Sequence, residues 1–401
     1  MRLVRRSPQS SSASFGPRLL FVSNGHGEAS IAARIASELR SFISNTELQI
    51  DHLPLVGTGA GSESTVFSAV IGPRMSLPSG GLVAMGNLPA LTADLRAGLI
   101  GQIIAQIRTL RTRPYELRVA VGDVYVLALT LLGGGRPVFV GTAKSVYVAS
   151  YGPGERMLLR RAAHIFVRDN ATAISLRKAG VPAESPGNVI ADLATHRRFT
   201  HEEKWLALLP GSRPSAYADT IRLARVLGEL AARGRTIPAF LSVAPALDSA
   251  IFAADLARDG WTVENGDALT PFRARRGSAY IEASREPIGS LIAASGLAIG
   301  QAGTANEVAA AAGVPVVALE HSGERETWYR MRQRRLLGNA LLVLSDEPHD
   351  AAAAIDALLE DETRMEAMAA AGRERMGNPG GARAIAGVLA AALSSGESAR
   401  E

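Results

Sequence analysis

The sequence lacks cysteine altogether, and this absence removes several kinds of chemistry. Disulfides, thiolate metal sites and a cysteine nucleophile are excluded in this chain of 401 residues. The seven histidines are scattered and show no spacing typical of a zinc site. Lysine occurs only at positions 144, 178 and 204, so arginine supplies almost all of the positive charge behind a net charge of +5. Because no aromatic-basic module accompanies the arginines, we expect no nucleic-acid partner.

Long apolar runs and early acidic residues are also missing. The longest apolar run, Val124 to Leu132, is too short to span a bilayer. Residues 1–17 are rich in arginine and serine and precede the first acidic residue, Glu28. We interpret them as a disordered arm, with a transit peptide or a shortened twin-arginine leader as the alternative. We expect a cytoplasmic protein, with peripheral membrane contact through the glycine-rich segment 66–91 as an open alternative to simple loop packing.

Strand-like and helical patterns alternate along the chain in two successive stretches. A hydrophobic content of 47% can bury a large core, and the length predicts two or three domains. The alternation predicts parallel sheets covered on both faces, and the polar run 184–204 interrupts it as a linker. We therefore predict an α/β fold of two doubly wound, Rossmann-like domains that face a cleft. They span residues 18–190 and 191–390, and a flexible tail follows at 391–401.

Three glycine-rich turns, at 24–28, 210–213 and 300–307, each follow a predicted strand. Ligands of open α/β sheets bind outside the carboxyl ends of the strands, where these turns lie. None carries the Walker pattern or the dinucleotide fingerprint, so we expect neither ATP hydrolysis nor a dehydrogenase. Because two turns fall in the second half, we predict the nucleotide site there. Its predicted residues are Gly211, Ser212, Arg213, Gly300, Gln301, Gly303, Thr304 and Glu307.

The residue types in these two turns suit a diphosphate. The backbone at Gly211 can approach a ligand closely, Ser212 offers a hydroxyl and Arg213 can pair with phosphate. Glu307 falls in the first turn of the following helix, where its carboxylate can accept hydrogen bonds from ribose hydroxyls. The alternatives are a plain strand-to-helix turn with a capping glutamate, and a surface salt bridge for Arg213. By contrast, the arginines at 156, 160, 161 and 168 recur at helical spacing, which is typical of a solvated helix face.

The first half would then bind the other reactant, at the turn that contains Gly25, Gly27 and Glu28. His26 lies between the two glycines, where it can act as a base near neutral pH or simply cap the helix. Asp123 lies between two apolar runs, where a carboxylate is costly unless it is hydrogen-bonded or used. We take His26 and Asp123 as the candidate catalytic residues.

Several short motifs occur in an order that resembles the lipid A disaccharide synthase-related proteins. They are Ile71-Gly72-Pro73-Arg74-Met75, Met85-Gly86, Gly122-Asp123, Gly187-Asn188, Leu208-Leu209-Pro210-Gly211-Ser212-Arg213, and Gly303-Thr304-Ala305-Asn306-Glu307 with Gly313-Val314-Pro315. Together they cover about residues 18–390. The turns at 208–213 and 303–307 are the most specific, although related nucleotide-sugar enzymes share versions of them.

This resemblance implies a GT-B fold and an inverting, metal-independent transfer of a sugar from a UDP-sugar, with no cofactor beyond that co-substrate. The turns at 211–213 and 303–307 would hold the nucleotide diphosphate, and Asp123 matches the family's essential aspartate. In the synthase proper the first turn reads Gly-Glu and then Ser-Gly-Asp, whereas residues 25–30 here lack that aspartate. We therefore expect a lipid or glycan acceptor that is not necessarily lipid A.

Two other functions fit the same sequence. A UDP-sugar 2-epimerase or hydrolase would need acids and a histidine near the sugar, and His321 with Glu324 is the cluster available for it. A non-catalytic binding or scaffold protein would keep the nucleotide fold without the chemistry, which the unusual first turn favours. In the transferase, Asp123 or His26 removes the acceptor proton while the domains close about the linker near 187–196.

Overall fold

A parallel sheet of seven strands forms the framework of the N-terminal half. The computed structural model describes residues 16–43, 48–56, 66–73, 92, 95–194, 204–320 and 324–395. The strand order is β3-β2-β1-β4-β5-β6-β7. The strands are β1 (Arg18–Ser23), β2 (Gln49–Pro54), β3 (Ala69–Val70), β4 (Leu117–Gly122), β5 (Val138–Gly141), β6 (His164–Val167) and β7 (Ala183–Glu184).

Helices cover both faces of this sheet, as the apolar strands require. Alternate residues of β1 belong to different hydrophobic clusters, with Leu19 and Phe21 on one side and Leu20 and Val22 on the other. The described helices of this half are α1 (His26–Phe42), α2 (Leu99–Thr112), α3 (Val124–Leu132), α4 (Pro153–Leu159), α5 (Asn170–Lys178) and α6 (Val189–Asp192).

The C-terminal half contains a second sheet, of eight strands in the order β10-β11-β12-β9-β8-β13-β14-β15. Five neighbouring pairs in it are parallel, while β10, β11 and β12 form an antiparallel edge. The strands are β8 (Trp205–Leu209), β9 (Ala239–Ser242), β10 (Thr262–Asn265), β11 (Phe272–Arg276), β12 (Ala279–Ser284), β13 (Ser295–Gly300), β14 (Val316–Leu319) and β15 (Leu341–Leu344). The helices are α7 (Ser215–Ala232), α8 (Ser249–Arg258), α9 (Ile288–Ala293), α10 (Thr304–Ala311), α11 (Glu324–Leu337), α12 (Pro348–Glu360), α13 (Glu362–Met376) and α14 (Gly381–Ser394).

These two sheets confirm the predicted class of two doubly wound α/β domains, and the last three described helices are α12 to α14. The antiparallel strands β10 and β11 were not predicted, because their short sequences carry little apolar alternation. The prediction of one helical face for the arginines at 156–168 is wrong. Helix α4 ends at Leu159, the strand β6 follows, and Arg168 comes directly after that strand and is buried.

The chain returns to the N-terminal half through α14, which packs against α1. The buried carboxylate of Asp192 accepts hydrogen bonds from the backbone nitrogens of Gly380 (2.5 Å) and Ala382 (2.7 Å) at the start of α14. The side-chain amide of Asn188 donates to the carbonyl oxygen of Met376 at 2.7 Å. Part of the predicted linker is therefore the short buried helix α6, which is hydrogen-bonded to the start of α14.

Several predicted segments lie outside the described residues. They include 1–15 of the predicted arm, 74–91 of the glycine-rich segment, 195–203 of the linker and 396–401 of the tail. In the described part of the chain, every helix is too short or too polar to cross a membrane.

One histidine is fully buried in the N-terminal core. The Nε2 atom of His52, on β2, lies 2.8 Å from the hydroxyl of Ser23, and its ring stacks on Phe67 with 4.6 Å between ring centroids. Burial lowers the pKa of His52 to about 4 from its ordinary value near 6.5, because the charged imidazolium is poorly solvated there.

This histidine makes the stability of the fold depend on pH. Its folded-state pKa is depressed, so its contribution is fully present above pH 6.5 and is lost as the pH falls towards about 4. We expect the free energy of unfolding, measured with urea, to be about 3 kcal/mol lower at pH 4 than at pH 7 because of this group alone. The variant His52→Gln should lose that part of the pH dependence, whereas His164→Gln at an exposed position should keep it. Parallel pH profiles for wild type and His52→Gln would contradict the assignment.

Candidate functional site

Two of the glycine turns meet across the cleft between the halves. One leads from β1 into α1, whose first residue is His26, and the other leads from β13 into α10, whose first residue is Thr304. A β-carbon placed on Gly27 would collide with the hydroxyl of Thr304. Glycine at position 27 therefore allows the beginnings of two helices to touch, and the predicted acceptor and nucleotide turns lie in direct contact.

Two carboxylates stand side by side on the N-terminal wall of this cleft, because β1 and β4 are neighbouring strands. Glu28 accepts a hydrogen bond from the backbone nitrogen of Gly25 at 3.2 Å. Asp123 follows β4, and its Oδ2 atom lies 3.5 Å from the side-chain nitrogen of Asn24. Gly122 lies between them, with a φ of +140° and the Cγ of Glu28 only 3.5 Å from where its β-carbon would be. The predicted acceptor-side turn is thus an acidic corner of the cleft.

Burial raises the pKa of both carboxyl groups above their ordinary values. For Glu28 the charges of Asp123 and Glu307 add to the effect of burial, and for Asp123 the charge of Glu155 adds to it. Hydrogen bonds from backbone nitrogens oppose these shifts but do not outweigh them. Acids with raised pKa values in a cleft are candidates for proton transfer.

Asp123 also has a structural role. Its Oδ1 atom caps α3 by accepting hydrogen bonds from the backbone nitrogens of Tyr125 (3.0 Å) and Val126 (3.1 Å). Capping explains why a carboxylate is tolerated between two apolar runs, while the second oxygen faces Asn24. His26, the other candidate base, is half-buried at the first position of α1 beside this corner.

An ion pair joins the two walls of the cleft. The Nη2 atom of Arg168, next to β6, donates to Oε2 of Glu307 on α10 at 2.9 Å. The Arg168 side chain is 5% exposed and the Glu307 side chain 13%. Nη1 of Arg168 donates to the carbonyl oxygen of Thr142 at 3.1 Å. Glu307 lies in the first turn of α10, as predicted, and its partner is an arginine that the sequence pattern had assigned to the surface.

The two turns predicted to bind the nucleotide lie side by side, because β8 and β13 are paired. The backbone nitrogens of Gln301 and Ala302 both donate to the carbonyl oxygen of Leu209, at 2.9 and 3.1 Å. Gly211 has a φ of +115°, which only glycine adopts easily, and it lies beside Ala302. The neighbouring Ser212 is half-buried and Arg213 is exposed. The residues of 211–213 and 301–304 are therefore brought together at one sheet edge.

Two glycines of the second turn serve the protein's own packing. Gly300 makes room for the side chain of Asn306, whose amide nitrogen donates to the Gly300 carbonyl at 3.1 Å. Gly303 makes room for the hydroxyl of Tyr329. The side chain of Gln301 is buried and hydrogen-bonded to Arg330 and to the backbone. These glycines are therefore required for close packing, but the groups that pack against them are the protein's own side chains.

Three further side chains at the cleft were not found from the sequence. Lys144 donates to Glu155 at 2.6 Å, and Glu155 also caps α4 at Gly152. The pKa of the Tyr329 hydroxyl, on α11, is raised overall: burial and the charge of Glu307 raise it, and the charge of Arg213 lowers it. Tyr329 therefore lies close to two of the residues predicted to bind the donor. A glutamate three residues after Gly152 is a helix-start signal that could have identified Glu155, whereas nothing local marks Tyr329. His321 and the side chain of Glu324 lie outside the described residues.

Comparison with known proteins identifies the fold. No protein-family model and no curated protein matches this sequence. A structure of a putative UDP-N-acetylglucosamine 2-epimerase from Listeria monocytogenes is 14% identical, with a TM-score of 0.57 over 96% of this chain and 98% of that one. The UDP-GlcNAc 2-epimerase from Neisseria meningitidis, bound to UDP-GlcNAc, is 14% identical, with a TM-score of 0.52 over 94% and 100%. The calicheamicin glycosyltransferase CalG4 is 16% identical, with a TM-score of 0.53 over 94% and 98%.

At these identities the similarity establishes the fold alone. The chain adopts the GT-B arrangement over nearly its whole length, as the resemblance implied. The structures named above are epimerases and a glycosyltransferase, not lipid A disaccharide synthases, so that narrower membership stays a prediction. Among the described residues, no group of three histidine or acidic side chains is placed to hold a metal ion.

The ion pair across the cleft should be a major support of the interface. Arg168→Met leaves Glu307 without this partner, and breaking a buried ion pair from one side costs about 3–5 kcal/mol. The double variant Arg168→Met/Glu307→Leu should recover part of that loss, since no carboxylate then stays buried. Arg276→Met, at a pair whose arginine is 46% exposed, should cost less than about 1 kcal/mol. Urea unfolding measures all three, and equal losses in the single and double variants would refute the role of the pair.

Proposed function

We propose that this protein is a glycosyltransferase that moves a sugar from a nucleotide sugar, in the first instance a UDP-sugar, to a lipid or glycan acceptor. The observation that carries the proposal is the contact between the turns at 24–28 and 300–307. It sets acids with raised pKa values on one wall of the cleft against a helix N-terminus on the other. Transfer needs these two environments, because a proton leaves the acceptor while negative charge grows on the departing diphosphate.

On the donor side, the beginning of α10 and the turn at 211–213 receive the diphosphate. Backbone N–H groups at a helix start attract an anion, and the guanidinium of Arg213 is exposed at the adjacent turn. Glu307 accepts hydrogen bonds from the ribose hydroxyls. This charge stabilisation replaces a metal ion in the proposal, and no cofactor takes part beyond the nucleotide sugar.

On the acceptor side, Asp123 or His26 removes the acceptor proton as an oxocarbenium-like centre forms at the sugar. Asp123 is the better placed of the two, since one of its oxygens is fixed by the α3 cap while its pKa is raised by burial. Inversion follows when the acceptor attacks from the N-terminal wall and the diphosphate departs towards the C-terminal wall. The same model includes a cytoplasmic location and peripheral contact with a membrane that supplies a lipid acceptor.

A second candidate is a UDP-sugar 2-epimerase or hydrolase on the same fold. The similarity to two UDP-GlcNAc 2-epimerases favours it specifically, and one of those structures contains UDP-GlcNAc. A non-catalytic nucleotide-binding protein is the remaining alternative. The three functions differ in what becomes of the donor: transfer to an acceptor, conversion or hydrolysis without one, or binding alone.

The donor class can be tested by thermal shift with UDP, GDP, ADP and their common sugar conjugates, without added metal. We expect a selective rise of the melting temperature with UDP or a UDP-sugar, because binding to the folded state stabilises it. Glu307→Ala should abolish that rise through loss of the ribose contact. Glu229→Ala, on α7 and away from the cleft, is the control that should keep it. If the wild type responds to no nucleotide, the donor site is refuted and the scaffold alternative is favoured.

The base can be tested with Asp123→Asn, which keeps an oxygen for the α3 cap but cannot take a proton. The assay measures the rate of UDP release from the donor in the presence of an extract that contains lipid and glycan acceptors. We expect this rate to fall at least about 100-fold while the melting temperature changes little. Asp248→Asn caps α8 in the same manner and should leave the rate unchanged. NMR of the sugar product distinguishes transfer from epimerisation at C2. Wild-type rates in both Asp123→Asn and His26→Ala would contradict the mechanism.

A further inference from the structure

Arg168 has a charge partner only outside its own domain, as far as the described ion pairs show. Within the N-terminal half its guanidinium meets a neutral acceptor, the carbonyl oxygen of Thr142. The carboxylate that balances it, on Glu307, belongs to the C-terminal half. Burying a guanidinium costs free energy that packing alone does not return, so a cation held at this point calls for a partner in the cleft.

Glu307 has a second source of stabilisation besides the arginine. A carboxylate in the first turn of a helix is already favoured by the helix dipole, and this is where Glu307 stands on α10. The surroundings are rich in acids, since the charges of Asp123 and Glu307 both act on Glu28. A nucleoside diphosphate would add further negative charge at this point. A buried cation that turns from a carboxylate to the phosphates would offset this added charge.

We propose that Arg168 is a diphosphate-binding residue supplied by the N-terminal half and held in place by Glu307 until the donor enters. The inference rests on the proposed function, in which Glu307 binds the ribose. On donor entry Glu307 exchanges the guanidinium for neutral ribose hydroxyls, and the planar fork of Arg168 binds two phosphate oxygens near the start of α10. The exchange makes the site selective for a nucleoside diphosphate over a nucleoside, because only the diphosphate engages the released cation.

The test compares two ligands that differ only in the diphosphate, UDP and uridine, on the full chain. Calorimetry gives the dissociation constant for UDP, and NMR titration gives the weaker one for uridine. In Arg168→Gln we expect UDP to bind at least about tenfold more weakly, while uridine binds unchanged or more tightly because Glu307 is already free. Arg168→Lys keeps the charge without the fork and should give an intermediate loss for UDP. Arg160→Gln, an exposed arginine bound to backbone carbonyls, should change neither constant.

Equal weakening of UDP and uridine would overturn the inference, since it would mean that Arg168 only supports the interface. Unchanged affinity for both ligands would overturn it as well. In either case wild-type binding of UDP would leave the proposed function standing, whereas absence of any nucleotide binding by the wild type would refute both. If Arg168→Gln does not fold, the ratio of the two constants in Arg168→Lys decides, and a wild-type ratio there rejects the role of the fork.

Discussion

A buried carboxylate, that of Asp192, holds the two halves in the orientation on which the contacts of the cleft depend. It binds two backbone nitrogens at the start of α14, where the helix dipole also stabilises a negative charge. Helix α14 in turn packs along α1 of the other half. Because α1 begins at the cleft, this attachment determines where the turn at 24–28 lies relative to Thr304. This attachment therefore helps to fix the distance between the two walls of the cleft.

Burial affects the ionisation of the acids in the cleft as strongly as ion pairing does. Backbone hydrogen bonds favour the ionised forms of Glu28 and Asp123, yet burial raises the pKa of both. The buried guanidinium of Arg168 is directed at Glu307 and leaves the other two acids uncompensated by that bond. An anionic donor entering this space raises the cost of ionised carboxylates further. In the proposed mechanism, donor binding and protonation of Glu28 and Asp123 are therefore linked, because the added negative charge lies next to the proposed base.

The sequence predicted the architecture and the positions of its glycine turns better than the roles of individual residues. Apolar alternation and glycine turns are local signals, so both sheets and the strand ends at 24, 210 and 300 followed from them. The function of a glycine depends on what approaches it, and Gly300 and Gly27 accommodate Asn306 and Thr304. Arg168 was assigned to the surface because spacing counts residues along one helix, and β6 interrupts that helix. No local pattern marks a contact between residues 139 positions apart, as for Arg168 and Glu307.

The distribution of acids over the two walls bears on which reaction fits the cleft. Epimerisation removes a proton from one face of the sugar and returns one to the other, so it needs proton-transfer groups on opposite sides. Inverting transfer needs one base, on the side of the acceptor. Glu28, Asp123 and Glu155 all belong to the N-terminal half. Among the described groups of the opposite wall, Glu307 is bound to Arg168, and the pKa of the Tyr329 hydroxyl is raised above its ordinary value. Among the described residues, the acids available as bases therefore lie on the side of the acceptor, which is the arrangement that the proposed transfer requires.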